Sequence, residues 1–438
     1  MSVDCYLIGG TRVLVACAEA LLSHGVRIRG VLSEDAAVER WARERDIGLM
    51  DPRGDLAETL AGQPFDLLFS IVNFRVLSAE VLSLPRVAAL NFHDGPLPAF
   101  AGSNIASWAL YEGVRRHAAT WHLMTERVDA GAVVAERWFP VRDLSTALSL
   151  TYETAQVGVD LFTEMVPVLA EGRVPEPVAT DGAATRRYFA RADRMAGGGV
   201  VHAGMTAAEA GRLSKAMDFG SFPNPVGVPA FATDRDAVFV GQIRTLDRDE
   251  EYPRPTTLSV TDSQIRIAAA DADMVLSDFT STEGDALSGR GAAQRLGLRA
   301  GEPVPAPGEG FLDGVERAQP GLRGSEHRWR DRLADVRTIP LDADDFSARA
   351  SHYNRFELAF LPMCAEDRAR VRGAFLAVLA ERAGVTAFDF GWSPREAQDL
   401  AERTHGLVTT RVPVRFDADA PGRTEQELAR ARDWGLYA

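Results

Sequence analysis

The stretch LNFHDGPLPAFAGSNIASWALYEG, residues 90–113, decides how this chain is read. Its first residues complete the apolar run VAALNF, which reads as a β-strand. A turn rich in Gly and Pro follows and leads into a helix. In an open α/β sheet, sites form at the carboxyl ends of strands. Asn91 and His93 lie at such an end, and their alternate spacing puts both side chains on one face. An amide beside an imidazole can stabilise an oxyanion and handle a proton. Spacing alone equally allows a structural role, with His93 capping the turn and Asn91 satisfying backbone groups.

Working outward, VDCYLIG, VRIRGVLS and FDLLFSIV read as further strands. The amphipathic VLVACAEALLSHG, EDAAVERWARERD and AEVLSLP are read as helices between them. Such alternation predicts an α/β domain with a parallel sheet covered on both faces. Downstream, a strand over Ala118–Met124 meets another beginning near Ala132, joined by TERVDAG. Asp129 sits in that connection, where it either approaches the first site or simply bonds its own backbone in an Asp-x-Gly turn. A helix from Ser145 to Glu171, with Ser145 as its cap, closes a domain expected to span 1–180.

A second region begins near Arg186, with the helix TAAEAGRLSKAMDFG and then short alternating stretches: AVFVGQIRTL, TTLSVTD, SQIRIAAAD and ADMVLSDFTS. These predict a small β-barrel or sandwich within 185–302. Residues 303–324 are rich in Gly and Pro and read as a linker. The remainder, 325–438, mixes helical stretches with the strand GLVTTRVPVRFDAD and makes an α+β segment.

The 438 residues carry a net charge of −14, which argues against a nucleic-acid partner, since that affinity comes from Lys and Arg neutralising phosphates. Three cysteines, Cys5, Cys17 and Cys364, form no CxxC pair and suit a reducing cytoplasm. The start MSVDCYLIGG lacks a leader pattern and no apolar run is long enough to span a membrane, so a soluble, cytoplasmic protein is expected. IGGTRV is not a dinucleotide-binding GxGxxG, and His93, His117 and His122 lack the spacing of a metal site. His122, beside Trp121 on a buried strand, reads as a structural histidine.

Taken together, Asn91-Phe-His93, Gly95-Pro-Leu97-Pro98, Gly102 and Val128-Asp129-Ala-Gly131 resemble the folate-dependent formyltransferase family. That family includes methionyl-tRNA and glycinamide ribonucleotide formyltransferases. The resemblance implies a Rossmann-like catalytic domain, a triad at Asn91, His93 and Asp129, and 10-formyltetrahydrofolate as co-substrate. It implies no metal. The loop after the sheet's fourth long strand, here Asn73-Phe74-Arg75-Val76-Leu77, would hold the folate together with Gly95, Leu97, Pro98, Val128 and Gly131. Two positions depart from the family: Asp94 stands where a small residue is common, and Ala132 where a second acid is common. YFARADR, from Tyr188 to Arg194, and KAMDFGSFPNPVG are similar to the OB-like C-terminal domain of methionyl-tRNA formyltransferases. TWHLMTERVDAG resembles the formylation domains that open some nonribosomal peptide synthetases. That implies an aminoacyl group on a carrier protein as substrate and neighbouring synthetase domains as partners. The last segment resembles a truncated condensation domain lacking its HHxxxDG motif. A free-amine formyltransferase, a methionyl-tRNA formyltransferase and a non-catalytic scaffold module are the competing readings.

Overall fold

The computed structural model describes residues 2–179, 184–248, 252, 255–339, 365–393, 395–408 and 411–434. The first region alternates β1 (Asp4–Gly9), α1 (Thr11–Ser23), β2 (Arg27–Leu32), α2 (Ala36–Glu44), α3 (Leu56–Ala61), β3 (Leu67–Ile71), α4 (Ala79–Leu82) and β4 (Ala88–His93). Next come β5 (Ala101–Gly102), α5 (Ile105–Tyr111), β6 (Arg116–Leu123), β7 (Val133–Pro140) and α6 (Ala147–Ala170). Six strands form one sheet in the order β2-β1-β3-β4-β6-β7. The first four pair in parallel, while β6 and β7 add an antiparallel edge.

This sheet is covered on both faces, as the alternation predicts. Leu7, Phe69 and Trp121 pack with Leu14 of α1 and Phe162 of α6. On the other face Ile8 and Leu68 pack with Leu60 of α3 and Val81 of α4. That double burial is why β3, LLFSI, is buried along its whole length and shows no alternation. Local chemistry sets the helix starts: the Asp35 and Asp55 side chains accept N–H bonds at the openings of α2 and α3. α6 begins one residue later than its sequence suggests. Thr146 caps it in a reciprocal box with Ser149, while Ser145 instead accepts from the Arg142 N–H.

The second region contains β8 (Tyr188–Phe189), β9 (Val200–Val201), α7 (Ala207–Ala216), β10 (Ala230–Ala232) and β11 (Ala237–Leu246). It continues with β12 (Thr256–Val260), β13 (Gln264–Ala268), β14 (Asp273–Ser281), β15 (Ala286–Leu287) and α8 (Gly289–Leu296). Its main sheet runs β12-β13-β14-β11-β10-β9, with β15 on β14. Among the described residues no ladder joins β12 to β9, and the sheet fades into very short strands at β10 and β9. The two regions share one core: Trp108 and Leu150 pack with Leu213, Phe231 and Leu276.

Beyond it lie α9 (Phe311–Ala334), α10 (Ala365–Ala383), β16 (Ala387–Trp392), α11 (Arg395–Arg403), β17 (Val412–Asp417) and α12 (Pro421–Trp434). The stretch expected to be a linker is helical from Phe311 onward. Phe311 and Val315, one helical turn apart, are buried against Val200, Ala232 and Ala237, and that burial overrides the local Gly content. β16 and β17 pair antiparallel, with Asp389 between Arg332 and Arg415. Cys364 and part of GLVTTRVPVRFDAD lie outside the described residues. No described helix is long and apolar enough to cross a membrane.

Candidate active site

The ladder between β4 and β6 assembles the site. It sets Asn91 opposite His122 and His93 opposite Thr120, so the two alternating pairs share one face. Thr120 Oγ1 donates to the Gly95 carbonyl at 2.7 Å and ties the turn after β4 to the neighbouring strand. The connection from β6 to β7 then folds back and delivers Asp129 to the same corner.

Two glycines make that delivery possible. A Cβ on Gly131 would lie 1.7 Å from the Leu123 carbonyl oxygen, so no side chain fits where the turn closes on β6. Gly102 has φ +108°, and a Cβ there would meet the Phe189 carbonyl at 2.0 Å. Its N–H donates to Asp129 Oδ2 at 2.8 Å.

Asp129 lies between two imidazoles. His93 Nδ1 is 3.6 Å from Oδ2, and His122 Nε2 is 3.4 Å from Oδ1. Burial pushes the Asp129 carboxyl up, but His122 and His93, whenever they carry a proton on the nitrogen facing it, and the Gly102 N–H outweigh it and bring the group down to about 2. Asp129 is therefore an anion at neutral pH. Asp94, the residue after His93, moves the other way because burial raises its carboxyl. Two acids pushed apart at one corner is the arrangement expected where protons are exchanged.

The hydrogen bonds also fix where protons sit. The Phe100 carbonyl lies 2.6 Å from His93 Nε2 and can only accept, so Nε2 carries a proton and Nδ1 is the nitrogen that faces Asp129. The Leu123 carbonyl lies 2.8 Å from His122 Nδ1, which places a proton there and leaves a lone pair on Nε2 of the neutral ring. That lone pair accepts from Asn91 Nδ2 at 3.1 Å. The other Asn91 N–H donates to the Phe92 carbonyl at 3.0 Å, and Ser70 Oγ donates to Asn91 Oδ1 at 2.7 Å. Asn91, His93 and Asp129 are thus brought together, with His122 as the link the sequence reading set aside as structural. The structural histidine is His117: it is fully buried, its Nε2 meets the Asp94 carbonyl at 2.9 Å, and burial lowers it to about 4.

The loop Asn73–Leu77 follows β3, the third strand of the chain rather than a fourth. Asn73 Nδ2 donates to Ser70 Oγ at 3.3 Å, so this loop is wired to Asn91 through one hydroxyl. Phe74 and Val76 are exposed, at 66% and 72%. Arg75 is turned away and donates to the Pro52 carbonyl. Leu77 is packed into the sheet, and Leu97 is buried with Ala101 and Val133. Pro98 lies in the turn after β4, while Val128, beside Asp129, is exposed. Among the described residues no group of His, Cys, Asp and Glu could hold a metal ion.

Residues 53–166 match the family described as formyl transferase. This stretch is a formyltransferase domain. It contains every residue of the cluster, and the protein is an enzyme on that basis. Two solved structures resemble the chain in fold. One is WlaRD, a sugar 3N-formyl transferase crystallised in the presence of dTDP and 5-N-formyl-THF; it is 14% identical, with a TM-score of 0.52, covering 64% of this chain and 98% of its own. The other is the N-formyltransferase from Helicobacter canadensis in complex with folinic acid and dTDP-3-aminofucose. It is 15% identical, with a TM-score of 0.52, covering 64% of this chain and 100% of its own.

Proposed function

We propose that the protein transfers a formyl group from 10-formyltetrahydrofolate to a primary amine carried as an aminoacyl group on a carrier protein. The observation that carries the transfer reaction is the Asn91–His93–His122–Asp129 cluster at the end of β4, inside a formyltransferase domain. The exposed Phe74 and Val76 beside it supply an apolar wall for a planar folate ring. Folate compounds in the two related crystal structures support the same co-substrate.

The neutral amine attacks the formyl carbon, and the carbonyl electron pair moves to oxygen. Asn91 Nδ2, once released by His122, and His93, once Nδ1 carries a proton, are the donors for that oxyanion, each worth about 3 kcal/mol by the scale of other oxyanion sites. A proton must then leave the attacking nitrogen and reach N10 of the folate, whose bond to the formyl carbon breaks with its electron pair. Asp129, anionic and aligned by the Gly102 N–H, orders the water that carries this proton. Should a proton reach His122 Nε2, that nitrogen stops accepting from Asn91 and turns its N–H to Asp129. The Asn91 N–H is then released to the oxyanion.

The carrier-protein acceptor rests on the likeness of TWHLMTERVDAG to synthetase formylation domains and of the last segment to a truncated condensation domain. The second sheet is read as the OB-like partner of the catalytic domain on the likeness of YFARADR and KAMDFGSFPNPVG to the C-terminal domain of methionyl-tRNA formyltransferases. Purified protein should release tetrahydrofolate from 10-formyltetrahydrofolate when given an aminoacyl-pantetheine thioester, and do so faster than with the free amino acid. Faster turnover of a free amine or amino sugar would move the assignment to a stand-alone N-formyltransferase.

A further inference from the structure

Residues Arg186–Arg191 cross the mouth of the site as a strap. β8 pairs with β5, the Ala101 N–H meets the Arg187 carbonyl at 3.0 Å, and the Ser103 N–H meets the Phe189 carbonyl at 2.8 Å. Phe189 turns inward and stacks on Trp108, with ring centroids 4.7 Å apart, while its neighbour Tyr188 faces out and is 49% exposed. The strap is therefore anchored, and its ends reach opposite walls. Arg186 Nη2 donates to the Val128 carbonyl at 2.8 Å, one residue from Asp129. The Arg191 guanidinium sits over the Phe74 ring at 5.0 Å, one residue from Asn73.

Neither arginine has an ion-pair partner among the described residues, unlike Arg187 between them, which pairs with Glu112. Arg186 Nε is buried with no hydrogen-bond partner, a donor whose acceptor is missing. Arg127, on the turn before Val128, is a third exposed cation at the same rim. In a chain of net charge −14 such a cluster is not a generic surface.

We propose that Arg186 and Arg191 bind a phosphate carried by the acceptor, so that the amine reaches Asp129 at the end of a phosphate-bearing arm. This deepens the formyl-transfer reading and rests on it. A tetrahedral phosphate has enough oxygens to engage guanidinium forks from two walls at once. Phe74 and Tyr188 flank the rest of the arm. A phosphopantetheinyl group and a nucleoside diphosphate share this chemistry.

Calorimetry on the full chain separates the sources, using 4′-phosphopantetheine against pantetheine and uridine diphosphate against uridine. In at least one pair the phosphorylated probe should bind about tenfold more tightly, the scale of a charge-assisted hydrogen bond. Whichever pair responds names the source. Arg186→Gln and Arg191→Gln should each lose about that factor, while Arg191→Lys keeps most of it. The proposal fails if phosphate makes no difference in either pair. It also fails if folded Gln variants bind the phosphorylated probe like the parent, or lose 10-formyltetrahydrofolate instead. A parent protein that binds the phosphorylated probe but no folate would sink the formyl-transfer reading and leave the anion subsite standing.

Discussion

Asp129, in a turn beside the first sheet, and Asp273, in a strand of the second, are both buried carboxylates, but different partners hold them. Asp273 lies between Arg248 at 2.8 Å and Arg266 at 2.6 Å and is fully buried. Asp4, with Arg27 and Arg29, and Asp389, with Arg332 and Arg415, repeat that pattern. Arginine is always charged, so these clusters are closed and their only product is structure. Asp129 has two imidazoles at 3.4 and 3.6 Å, longer than hydrogen bonds, and one short N–H. The slack leaves room for water and substrate. The contrast separates a carboxylate that holds the fold from one that does chemistry.

The comparison breaks first at Asp273. Asp273→Ala leaves Arg248 buried without its anion and should cost about 3–5 kcal/mol in urea unfolding, with kcat of the folded fraction unchanged. A loss of kcat at full stability would erase the distinction. His117 gives the next effect, through pH. Its folded value, near 4, is below the unfolded value of about 6.5, so the unfolded chain binds the proton first. The contribution is complete above about pH 6.5 and is lost as pH falls toward 4, by about 3 kcal/mol. His117→Gln should remove that slope relative to the parent protein, and parallel slopes would refute it. The smallest effect is at His122. His122→Leu removes the acceptor for Asn91 and a neighbour of Asp129, and should lower kcat about tenfold while folate affinity holds. An unchanged kcat would return His122 to a purely structural role.

Much of the catalytic domain was legible in the sequence because its signals are local. Apolar runs bounded by turns gave the parallel strands, and Asn91 and His93 were found from alternation at a strand end. His122 was not, because its place in the site depends on the register between β4 and β6, which pairs it with Asn91 across the ladder. The spacing Thr120-x-His122 facing Asn91-x-His93 is the signal, and it can be read only once that register is known. The helix α9 was hidden behind the Gly and Pro of its neighbourhood, since what decides it is the burial of Phe311 and Val315 by distant strands. The strap at Arg186–Arg191 was assigned to the second region, yet its strand pairs with β5 of the first.

Formyl transfer depends on Asp129, the carboxylate held by the Gly102 N–H and faced by two histidines. Tetrahydrofolate release from 10-formyltetrahydrofolate with a primary-amine acceptor, compared between the parent protein and Asp129→Asn, tests it most directly. Asn keeps the shape and can still accept from the Gly102 N–H, but it loses the charge. Turnover should fall by about 100- to 1,000-fold, with thermal unfolding near that of the parent. A folded Asp129→Asn protein that turns over at the parental rate would contradict the account.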